Sequence, residues 1–129
     1  MERRKIDYVP PVVAAKWSEG VLDEGFVPFP KRLLRCLGKV FDGPRAVDDI
    51  RVVMAIVDYR RPNLSRPPSY EFLAFTAGMT IESFKERVKA MENRGLLHAM
   101  GPDEVVNIEI NGLIGRVLDL TADEGNGVF

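Results

Sequence analysis

Cysteine and histidine are almost missing from this chain of 129 residues: Cys36 and His98 are single occurrences. One cysteine excludes an internal disulfide, and the two together fall short of the four N or S ligands of the usual zinc site. Reducing, cytoplasmic surroundings are the expectation that follows. Long apolar runs are also missing, since the longest, such as the stretch beginning at Val52, extend for only a few residues. The N-terminus lacks the charged-then-apolar layout of a secretory signal, so neither a membrane span nor export is expected. A Gly-rich phosphate loop, a metal cluster and a nucleophile with its base and orienter are likewise not found. An enzyme is therefore the least expected class, and neither cofactor nor metal is expected.

What the chain has is a profile of 46% hydrophobic and 29% charged residues, which suits one soluble globular domain with a single core. The formal net charge is −1, which taken alone argues against a nucleic-acid partner. Its distribution argues otherwise. Residues 26–100 hold thirteen Lys and Arg against eight Asp and Glu, a balance of +5, whereas residues 101–129 hold one base against six acids, a balance of −5. Near-neutrality thus covers a basic body and an acidic end.

Residues 1–25 lack periodicity and contain the Pro10-Pro11 pair and the stretch Ser18–Gly25, which reads as an extended arm. From Pro30 to Phe41 the apolar residues Leu33, Leu34, Leu37, Val40 and Phe41 share one helical face, and Lys31, Arg32, Arg35 and Lys39 collect on the other. A second helix is predicted from Val47 to Tyr59, with Val47, Ile50, Val53, Met54 and Val57 inward and Asp48 and Asp49 at its positive dipole end. The segment Arg60 to Pro68 holds three prolines and reads as a loop. Ser69 can cap a helix over Tyr70–Ala77 that Gly78 stops, and Thr80 can cap another over Ile81–Arg94, with Phe84, Val88 and Met91 as its inner stripe. Leu96–Met100 and Val105–Ile110 are predicted as a hairpin around Gly101-Pro102-Asp103-Glu104. A last helix over Gly112–Leu120 would carry Leu113, Ile114, Val117 and Leu118 inward, and residues 121–129 form an acidic, flexible tail.

Two helices joined by a short Gly-containing turn are a helix-turn-helix candidate. The run Leu73-Ala74 through Gly78-Met79-Thr80 and Phe84, then Val88, Met91, Glu92, Arg94, Gly95, Leu96 and Leu97, resembles the bacterial winged-helix pattern without a gap. The implied fold is α+β and mostly α, spanning residues 26–120: a three- to four-helix core, a β-hairpin wing and a C-terminal helix. Phe26-Val27-Pro28-Phe29-Pro30 with Leu33-Leu34, and Pro68-Ser69 with Leu73-Ala74, are similar to elements of the DnaD-type primosomal proteins and the phage replication protein O group. So is Ile108-Glu109-Ile110-Asn111 leading into Leu113-Ile114, although Gly112 departs from that pattern. The resemblance implies a DNA-replication-associated protein of a bacterium, phage or plasmid.

In such a domain the second helix meets the major groove, so Thr80, Ser83, Lys85 and Lys89 are candidate DNA contacts, opposed by Glu82 and Glu86. The turn holding Asp103 and Glu104 lacks the bases of an inserted wing. Backbone contacts are expected from Arg60, Arg61 and Arg66 in the proline loop and from Lys31 and Arg35 with Arg32 and Lys39. The same charges also fit an ordinary solvated surface. Cys36 is expected buried or at the core boundary, His98 at the surface, and Tyr59, Tyr70, Phe72 and Phe75 mostly in the core, with an exposed Phe75 pointing to a protein contact. Two other readings stand beside DNA replication. One is a dimeric transcription regulator, joined through residues 1–25 and the last helix; the other is a protein-interaction domain that binds a replication partner or another copy of itself and no DNA.

Overall fold

The computed structural model describes Val27, residues 29–58 and residues 67–123. Its elements are α1 (Lys31–Arg35), α2 (Leu37–Val40), α3 (Ala46–Asp58), α4 (Tyr70–Ala77), α5 (Ile81–Asn93), β1 (His98–Met100), β2 (Asn107–Glu109) and α6 (Asn111–Leu120). The fold is α+β and mostly helical, with one antiparallel pair of strands in the register His98 to Glu109, Ala99 to Ile108 and Met100 to Asn107. The arm over residues 1–25, Tyr59, Arg60, Arg61, Arg66 and the tail from Glu124 lie outside the described residues.

Helices α3, α4 and α5 pack on one another and hold the core, in which Val52, Val53, Leu73, Phe84, Val88 and Met91 are each at most 1% exposed. Burying a side chain of that size contributes about 1.5–3 kcal/mol, so this cluster dominates the stability of the domain. Phe84 and Tyr70 meet edge to face, 6.0 Å between centroids and 70° between planes, which fastens α5 to the start of α4. The expected inner stripe of α5, Phe84, Val88 and Met91, is buried as the sequence predicts.

Five sequence expectations are corrected. The helix expected from Pro30 to Phe41 is broken at Cys36, whose φ of −109° and ψ of 16° leave the helical region; its amide bonds back to Arg32 and Leu33, and its Sγ donates to the Arg32 carbonyl. Leu34, expected inside, is 61% exposed, while Cys36 takes a core position. On α3 the residues Asp49, Val52, Val53, Ala55, Ile56 and Asp58 are buried; of the predicted inner set Val53 is buried and Ile50, Met54 and Val57 pack partly buried against the core, whereas Val47 is 66% exposed. A largely buried ion pair lies on the inner face of α3. Arg87 of α5 donates from Nε to Asp49 Oδ1 at 2.6 Å and from Nη2 to Oδ2 at 3.1 Å, and the face of α3 that carries this acid packs inward.

The strands are shorter than expected because their outer backbone groups serve other partners. The Leu96 amide closes the end of α5 on Met91, the Leu96 carbonyl accepts from Leu113, and the Val106 amide donates to Pro68. In α6 only Leu113 is fully buried; Ile114 and Leu118, expected inward, are 47% and 49% exposed. This helix packs against α1 and against the turn after α5, so a single flank is covered. Gly112 makes that approach possible: a Cβ there would lie 1.8 Å from the Gly95 carbonyl oxygen.

Candidate functional site

The segment linking α4 to α5 is built by caps at both ends. Gly78 takes the left-handed conformation, φ 71° and ψ 35°, its amide bonds to the Phe75 carbonyl, and the Met79 amide bonds to that of Ala74. These two bonds satisfy the last carbonyls of α4 while the chain reverses, the closing motif that glycine favours. Thr80 then caps α5, its Oγ1 accepting from the Ser83 amide at 3.1 Å. Ser69 caps α4 in the same way through the Phe72 amide. At the far end of α5 Gly95 repeats the closure, with its amide on Glu92 and that of Leu96 on Met91, and releases the chain into β1.

This construction exposes one face of α5, consisting of Ile81, Glu82, Lys85, Glu86, Lys89 and Asn93. Of the sequence-predicted residues, Lys85 and Lys89 share this face and exposed Thr80 precedes it at the cap, whereas Ser83 is half-buried off its edge, and the charges on the face are differently engaged. Lys85 Nζ lies 2.6 Å from Asp103 Oδ2 in the hairpin turn and 5.5 Å from the centre of the Tyr70 ring. Glu86 accepts from Arg45 Nη1 at 3.2 Å, and Arg45 also holds Asp48 at 2.8 Å. Lys89 and Glu82 have no ion-pair partner among the described residues. Neither the Lys85–Asp103 nor the Arg45–Glu86 pairing was visible in the sequence, because the partners are 18 and 41 residues apart.

The hairpin turn is tied down. The Tyr70 amide donates to the Asp103 carbonyl at 2.8 Å and the Val106 amide to the Pro68 carbonyl at 2.9 Å, which fixes Asp103 beside the first turn of α4. Gly101 at φ 93° starts the reversal, and a Cβ there would lie 2.7 Å from the Val105 carbonyl oxygen. Burial, with the charges of Glu92 and Asp103 adding to it, raises the Tyr70 phenol above its ordinary pKa, so the ring stays neutral under Lys85.

The second set of predicted bases lies on α1 and α2. Lys31, Arg32, Arg35 and Lys39 are all exposed there, and Lys31, Arg32 and Lys39 have no ion-pair partner among the described residues. Arg60, Arg61 and Arg66 fall outside the described residues. Cys36 is 4% exposed, as expected of a core thiol, and the His98 side chain is at the surface, 3.8 Å from Glu92, whose carboxylate accepts from the Ala99 amide. Tyr70 is in the core and Phe72 is half-buried, whereas Phe75 is 45% exposed on α4. Among the described residues there is no group of three or more His, Cys, Asp or Glu placed to hold a metal, and no helix long and apolar enough to cross a membrane. Compared with family models, with curated proteins and with solved structures, the chain matches none.

Proposed function

We propose that the chain is a winged helix-turn-helix domain of the replication-associated kind, with α4 and α5 as the helix pair and the β1–β2 hairpin as a short wing, and that it binds DNA mainly through phosphates. The observation that carries this reading is the doubly capped turn from Gly78 to Thr80, which leaves one face of α5 in solvent with a hairpin directly after it. Phosphate neutralisation is favoured over base reading because Lys85 and Glu86 are already paired within the protein. Among the described residues, cations on these surfaces that are available to phosphates are Lys89 on α5 and Lys31, Arg32 and Lys39 on the first two helices, with Arg35 beside them. Each such contact releases counterions and adds affinity without sequence preference.

A second reading, a protein-interaction domain that binds no DNA, is favoured by Glu82 on α5, which has no ion-pair partner among the described residues, and by the exposed Phe75 on α4. Titrating the full chain into labelled duplexes of unrelated sequence separates the two. Phosphate binding predicts micromolar affinities at low salt that agree within about threefold across sequences. One strongly preferred palindrome would instead favour the dimeric transcription regulator, and no binding to single- or double-stranded DNA would favour the interaction domain.

A further inference from the structure

We propose that Asp103 is an internal stand-in for a DNA phosphate, lowering the affinity of the domain by occupying Lys85. The inference rests on the DNA-binding reading and goes beyond it, since it assigns an affinity-setting role to a hairpin residue that no DNA needs to touch. Lys85 projects from the middle of the exposed face of α5, where a backbone phosphate would be met. Its ammonium is 2.6 Å from Asp103 Oδ2, a charge-assisted contact of the length and kind it would make with a phosphate oxygen. The ammonium also lies over the Tyr70 ring, 5.5 Å from its centre, which adds a second attraction.

The turn that carries the carboxylate is held in place by backbone bonds. The Asp103 carbonyl is bound by the Tyr70 amide, and the strand side of the turn is bound to Pro68 through Val106. Both Lys85 and Asp103 remain about half-exposed, at 43% and 57%, so the pair is solvent-screened and a phosphate can displace it. Glu104, exposed beside Asp103, adds negative charge at the same edge. The hairpin is thus a local competitor: DNA that approaches α5 must first replace a carboxylate that is always at high effective concentration.

Asp103→Asn keeps the backbone bond and the side-chain shape while removing the charge. Fluorescence anisotropy on a labelled duplex should show it binding about three- to tenfold more tightly at low salt, with the dependence of log K on log salt steeper by about one. Lys85→Gln should cost more affinity in the Asp103→Asn background than in the native one, and the double variant should lose the gain. Unchanged affinity of Asp103→Asn, or a gain that survives in the double variant, would overturn the proposal while leaving DNA binding intact. Failure of the native chain and of Asp103→Asn alike to bind would remove the DNA-binding reading and this inference with it.

Discussion

Asp49 keeps a carboxylate at 1% exposure in a helical core, and it does so because two nitrogens of Arg87 reach it. Removing Asp49 takes both hydrogen bonds from Arg87 and leaves it only Glu86, 3.8 Å away at the surface, so Asp49→Ala should cost about 1–3 kcal/mol in chemical denaturation. Replacing both residues by apolar ones of similar volume should recover most of that loss; a double variant no more stable than Asp49→Ala would contradict the pairing argument. Gly112 acts through space rather than charge. Its hydrogen faces the Gly95 carbonyl where a methyl group would collide with backbone, and Gly112→Ala should lower stability by about 2–3 kcal/mol, read from the denaturation midpoint. These two residues also mark where sequence reading stopped. An apolar pattern passes over an inward-facing acid, and the need for a glycine at 112 depends on a backbone 17 residues earlier in the chain.

At the scale of elements, the segments whose ends carry side-chain caps were the ones legible in the sequence. Ser69 and Gly78 bound α4, and Thr80 and Gly95 bound α5, at the residues where local chemistry alone would set those ends. Thr80→Ala should therefore cost about 1 kcal/mol and leave the fold in place, since it unmakes a single cap bond; a thermal melt of the purified variant checks it. Elements set by packing were less legible. The break at Cys36, the inner face of α3 and the one-sided burial of α6 depend on which neighbours arrive, and a helical period records apolar residues rather than neighbours. The hairpin lost its outer pairs for a related reason: backbone groups at Leu96 and Val106 are taken by α6, by the end of α5 and by Pro68.

For the whole molecule, the near-zero net charge resolves into cations with different occupations. Arg87 serves the core, Arg45 and Lys85 offset acids beside α5, and Arg94 binds the Val40 carbonyl to join α5 to α2. Lys31, Arg32, Lys39, Arg51, Lys89 and Arg116 remain without ion-pair partners among the described residues, and the first three with Lys89 are the ones on the candidate surfaces. The candidate bases were thus legible as residues, but how each is occupied required the tertiary contacts. If the free cations are the DNA footprint, they set its salt dependence. The most direct test is the affinity of the full chain for a mixed-sequence duplex across a range of salt concentrations. Phosphate-dominated binding through this set predicts a straight line of log K against log salt with a slope of roughly −3 to −6, flattened by about two in the Lys31→Ala/Lys39→Ala variant. A slope near zero, an unaltered slope in the variant, or no binding at low salt would contradict it.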